Sequence, residues 1–127
     1  MLIALILPRP LQATPGDLDP SFGTGGKVTT GFGLASALAL QPNVKIVVAG
    51  RPSARMTLAR CNPDGSLDLT FSSGGMVITD FGGPLSRATA LAVQPDGKIV
   101  VAGCSGDSTF IRARWHVLRV CGPGVGR

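Results

Sequence analysis

The chain contains no glutamate and no tyrosine, and it has a single histidine, His116, and a single tryptophan, Trp115. These absences exclude chemistry. A Ser-His-Asp triad, a Cys-His pair or a histidine-based metal centre would all rest on His116 alone. All seven acids are aspartates, and most stand beside Gly or Pro, where an aspartate serves turns. Cysteine is sparse too. Cys61, Cys104 and Cys121 show no CxxC spacing and no Cys/His cluster, so neither a disulfide framework nor a zinc site is expected, and the thiols read as free and half-buried. No apolar run approaches the roughly 20 residues a membrane helix requires.

Glycine and proline, by contrast, are abundant at 18 and 10 residues of 127. Both are costly inside helices, whereas Val, Ile and Thr cluster in short runs, so an all-β chain is expected. The net charge of +5 is concentrated late. Up to Ser108 there are eight Lys and Arg against seven Asp, and beyond it four Arg and no acid. A basic nucleic-acid surface is therefore not expected in the body of the chain. A polyanion-binding reading would rest on the basic stretch His116 to Arg127 alone.

An internal repeat organises the rest. Gly16, Asp19, Phe22, Gly25, Gly26, Val28, Thr30, Phe32 and Gly33 return 49 residues later as Gly65, Asp68, Phe71, Gly74, Gly75, Val77, Thr79, Phe81 and Gly82. The offset then becomes 53: the run from Ala35 to Gly50, ASALALQPNVKIVVAG, returns from Ala88 to Gly103 as ATALAVQPDGKIVVAG. Each run reads as a β-hairpin about a turn at Pro42-Asn43-Val44 or Pro95-Asp96-Gly97. KIVVAG is apolar on both faces, as expected of a central strand covered on both sides. Strands are predicted near Lys27–Phe32, Ser36–Gln41, Lys45–Gly50 and Arg55–Cys61, and again near Met76–Phe81, Ala88–Gln94, Lys98–Gly103 and Thr109–Trp115. Four strands at a period near fifty match one blade per repeat of a β-propeller.

The division that follows is residues 1–15 as a truncated signal-peptide-like or disordered N-terminus, 16–64 as repeat 1, 65–115 as an incomplete repeat 2, and 116–127 as an atypical tail, either frameshifted or a terminal cap. The fold expected is about two four-stranded antiparallel blades of a β-propeller-like array, an incomplete fragment of it. Phe22, Phe32, Phe71 and Phe81 are expected to pack equivalently. Unpaired strand edges and apolar outer faces are expected to drive self-association.

Three stretches imitate functional motifs. Gly23 to Lys27 imitates a phosphate loop, but Ser21 occupies the first glycine position, Val28 replaces the Ser or Thr, and a strand rather than a helix is predicted to follow. Asn62 to Asp68 imitates a calcium loop without the terminal glutamate. Asp17 and Asp19 imitate a carboxylate pair, yet they return as Ser66 and Asp68, which is turn duty. Arg60 and Arg114 end the fourth strand of each copy, and Arg60 is expected to pair with a turn carboxylate such as Asp64. No residue is assigned as catalytic, cofactor-binding or metal-binding, and no cofactor is expected.

The segments GDLDPSFGTGGKVTT, ALQPNVKIVVAG, LARCNPDGSLDLTF and LAVQPDGKIVVAG resemble the delta-60 repeat family over about Gly16 to Trp115. The resemblance implies a propeller-like fold and a non-enzymatic structural or interaction module of a secreted or cell-surface bacterial protein. Its members often begin soon after a signal peptide, as Met1 to Pro15 would suit. Departures are Cys61 where the family favours an aromatic, the turn at Asn43-Val44, and the sequence after Trp115. The partners implied are an unknown protein or glycan ligand and further repeats of the same kind, with no nucleic acid and no membrane span. The rival reading is a piece of a propeller-based lyase or hydrolase whose site residues lie outside this chain.

Overall fold

A computed structural model describes residues 14–31, 33–80 and 85–106, and the backbone of 114–120. Among them are seven strands and no helix: β1 Leu34–Leu40, β2 Ile46–Arg51, β3 Met56–Cys61, β4 Met76–Thr79, β5 Leu85–Val93, β6 Ile99–Gly106 and β7 Arg114–Val120. They form two antiparallel sheets, ordered β1-β2-β3-β4 and β5-β6-β7. No helix among the described residues is long and apolar enough to cross a membrane.

The two hairpins are copies down to their irregularities. Leu38 faces Val48 in the first, and Leu91 faces Val101 in the second. Each carries the same bulge, between Ala35 and Ala37 and between Ala88 and Ala90. The extra residues, Ser36 and Thr89, donate their hydroxyls to the carbonyls of Ala49 and Ala102 at 3.3 and 3.2 Å. Opposite each bulge stands a glycine, Gly50 or Gly103, where a Cβ would run into the Leu34 or Arg87 carbonyl oxygen. Both turns close alike. The Gln41 and Gln94 amides donate to the Lys45 and Lys98 carbonyls at 2.8 Å, and the third turn position has positive φ, 57° at Val44 and 80° at Gly97. Glycine adopts that conformation freely, whereas β-branched valine is strained in it.

The sheets stack face to face. Val47, Ala49, Met56, Leu58 and Phe71 meet Ala88, Ile99 and Val101 in one core, flanked by half-buried Leu91 and Val93. Hydrogen bonds among the described residues tie the two hairpin units together: Ser36 Oγ to the Ala88 carbonyl at 2.7 Å, the Ser86 amide to the Ala54 carbonyl at 2.7 Å, and Gln41 Nε2 to the Gly97 carbonyl at 3.2 Å. The equivalent central strands thus use opposite faces. β2 buries Val47 and Ala49, whereas β6 buries Ile99 and Val101, the counterparts of Ile46 and Val48.

Several expectations need correction. No strand forms at the described part of Lys27–Phe32, where Lys27 makes only isolated bridges with Gly23 and Thr24. The counterpart, Met76–Thr79, pairs with β3 of the first copy, Leu58 facing Val77. A sheet therefore borrows its fourth strand from the next repeat, and among the described residues Lys27–Gly31 has no β3-like strand to join. Of the strand expected at Thr109–Trp115, residues 109–113 lie outside the described residues, and the described strand there is Arg114–Val120. In its register Gly103 faces His116 as Gly50 faces Thr57, so Arg119, not Arg114, takes the place of Arg60, and Val120, not Trp115, that of Cys61. β6 itself runs on to Gly106, three residues past Gly103, whereas β2 ends one residue past Gly50. The phenylalanines are not equivalent: Phe71 is buried and Phe22 half-buried, while Phe32 and Phe81 lie outside the described residues. Cys61 and Cys104 are free but buried rather than half-buried. Residues 1–13, Cys121 and the rest of 121–127 also lie outside the described residues.

Candidate functional site

The junction between the copies holds a buried cluster of charges. Arg60, next to last in β3, is buried beside the core, with its side chain 1% exposed. After the turn at Asn62–Ser66 the chain comes back beside β3, and the Asp68 amide donates to the Arg60 carbonyl at 2.8 Å. This brings the Asp68 carboxylate to Arg60 Nε at 2.7 Å and to Lys45 Nζ at 2.5 Å. Its other oxygen accepts from Thr70 Oγ1 at 2.6 Å and from the Thr70 amide at 3.1 Å. The guanidinium lies over the Phe71 ring, 4.6 Å from its centroid, a cation–π contact. Lys45 and Arg60 belong to the first copy, and Asp68 opens the second.

Hydrogen bonds from Lys45 first, then from Thr70 and Arg60, hold the Asp68 carboxyl far below the usual carboxylate range, against the opposing effect of burial. Asp68 is thus ionised throughout the ordinary pH range and bound to two cations, so it has no proton to exchange and little field to offer a metal ion. Burial, reinforced by Asp64 and Asp68, pushes the neighbouring Cys61 thiol up. A protonated buried thiol is a poor nucleophile.

The stretches resembling functional motifs are turns. Asp64 accepts from the Ser66 amide at 2.9 Å and from its hydroxyl at 2.6 Å, and does not meet Arg60, correcting the pairing expected from sequence. Asp19 does the same for Ser21, at 2.9 and 2.6 Å, and is exposed. Gly23 to Lys27 closes on itself through Thr24 and Lys27, with no helix after it. Asp17 bonds Thr14 rather than sharing a proton with Asp19. Among the described residues no group of three His, Cys, Asp or Glu is placed to hold a metal ion. Arg114 falls in β7.

Two stretches of the chain, residues 41–71 and 94–120, match the family model described as Domain of unknown function (DUF5122) beta-propeller. The match supports a β-propeller-like repeat family. The first matched stretch runs from the β1–β2 turn through Lys45, Arg60 and Asp68 to Phe71, and so contains the whole charge cluster. The second runs from the corresponding turn to the last residue of β7, in agreement with the later placement of that strand. No curated protein and no solved structure gives a match.

Sequence reasoning missed Asp68 as the partner of Arg60, although a signal was present. Asp19 and Asp68 recur at the same place in the propeller-like repeat, and Lys45 and Lys98 open both KIVVAG runs. A carboxylate and a lysine repeated in step, far apart in sequence, indicate a pair made between repeats.

Proposed function

We propose that this chain is a non-enzymatic structural or interaction module of a secreted or cell-surface bacterial protein. The observation that carries the reading is the junction itself: Lys45, Arg60 and Asp68 neutralise one another while tying one propeller-like repeat to the next. The described aspartates other than Asp68 cap turns or lie in exposed ion pairs at the surface. The resemblance to secreted repeat proteins and the apolar Leu2 to Leu7 support an extracytoplasmic location. A protein or glycan is the expected ligand.

Incubation with isolated cell-wall polysaccharide and with surface-protein extract, reading retention and cleavage together, tests the role. Retention without turnover is expected, and release of shortened glycan would refute it. Fusion of alkaline phosphatase after Val120 tests location, since the reporter gains activity only when exported.

A further inference from the structure

Within the chain the second repeat docks on the first by three devices. Met76–Thr79 completes the sheet of the preceding copy beside β3. Asp68 closes on Lys45 and Arg60. The Leu91, Val93, Ile99 and Val101 face of the second sheet packs on the Ala37, Val47, Ala49 and Leu58 face of the first.

Counterparts of all three devices recur elsewhere in the chain. Among the described residues no strand pairs with the outer edge of β7. At the other end Lys27–Thr30, the counterpart of Met76–Thr79, runs without a strand partner. It lies along a cleft whose wall includes Leu38, Ile46 and Val48. Asp19, the counterpart of Asp68, is exposed and meets only Ser21 among the described side chains. Lys98 takes the place of Lys45 and Arg119 that of Arg60 in register. Lys98 turns instead to Asp96 at the surface. The faces match as well. Leu38 and Leu40 are 62% and 63% exposed, whereas their counterparts Leu91 and Val93 are half-buried against the first sheet. Ala90 and Ala92 are exposed, with Val100 and Ala102 half-buried, on the face equivalent to the one the first sheet buries.

We propose that a second copy of this chain docks head to tail, repeating the internal junction in trans. Lys27–Thr30 of one copy adds as a fourth strand to β7 of the other, with Val28 facing Val117 as Val77 faces Leu58. Asp19 of the first copy takes the place of Asp68 beside Lys98 and Arg119 of the second. The Leu38–Leu40 face covers the Ala90–Ala92 face. This deepens the reading of the chain as an interaction module by naming its partner. The contact is heterologous, so it closes into a ring where the rotation allows.

The test uses two mixed variants, Val28→Cys and Val117→Cys, in a chain whose Cys61, Cys104 and Cys121 are replaced by Ala. Oxidation of the mixture should yield the disulfide-linked pair, while each variant oxidised alone, or Val28→Cys mixed with His116→Cys, should not. Light scattering of the unmodified chain should show a concentration-dependent assembly of more than one copy. Asp19→Arg, an exposed substitution that leaves the internal junction untouched, should weaken it about tenfold or more by placing a cation against two cations. A monomer at every concentration would overturn the proposal, as would cross-links between identical variants or an assembly indifferent to Asp19→Arg. A monomer that still binds polysaccharide or protein would overturn the assembly alone and leave the module reading standing.

Discussion

Removing the Asp68 carboxylate should be among the most damaging single changes in the described core. In Asp68→Ala the Arg60 guanidinium stays where it is, 1% exposed, with Nη1 already lacking a partner. What remains to it is the Phe71 ring and a long 3.5 Å contact with Thr70 Oγ1. Lys45 is 25% exposed and can turn to water, so its share of the loss is small. An uncompensated buried guanidinium costs about 3–5 kcal/mol, a large part of the roughly 5–15 kcal/mol available to a typical domain. Acid should reveal the same group. Because its folded-state pKa is depressed, Asp68 contributes stability that is present above the unfolded carboxyl value of about 4 and lost as pH falls through the folded value. Urea melts at one protein concentration, at neutral pH and stepwise down into the acid range, measure both effects. The parent should lose stability below about pH 4, and Asp68→Ala should start lower and lose less there. Asp64→Ala, which removes only a turn cap, should change less than Asp68→Ala. A neutral-pH loss for Asp68→Ala under about 1 kcal/mol, or an acid slope equal to the parent's, would show that the cluster does not hold the repeats together.

Three further outcomes are expected. Val44→Gly relieves a β-branched residue at φ 57° and should stabilise by about 1 kcal/mol, read as a higher melting temperature; no rise would mean the turn relaxes around valine. Phe71→Ala empties a core position and removes the ring under Arg60, so a loss of about 3–5 kcal/mol is expected in denaturant melts, with a smaller loss for half-buried Phe22→Ala. Gly103→Ala drives a methyl group into the Arg87 carbonyl at the bulge and should cost about 1–3 kcal/mol, and Gly50→Ala should do the same against Leu34; parent-like melts for both would show the bulges are pliable.

The hairpins are legible in the sequence because everything that makes them is local. Alternation along Ala88 to Val93, the Pro95-Asp96-Gly97 turn and the apolar Ile99 to Ala102 lie within one short stretch, and the copy from Ala35 to Gly50 repeats them. The strain at Val44 follows from comparing the two turns. Three matters depend on distant partners. KIVVAG is apolar on both faces, so no pattern within it says that β2 buries Val47 while β6 buries Ile99; the stacking of the sheets decides that. Met76–Thr79 reads as the first strand of its own repeat, yet backbone hydrogen bonds are satisfied by whichever edge lies alongside, and that edge is β3 of the copy before. Asp64 stands closer to Arg60 in sequence than Asp68 does, but the turn directs Asp64 onto Ser66 and returns the chain so that Asp68 meets the buried guanidinium. Local chemistry specifies turns and strands, whereas the choice among several adequate partners for an edge, a face or a charge is made only when the sheets come together.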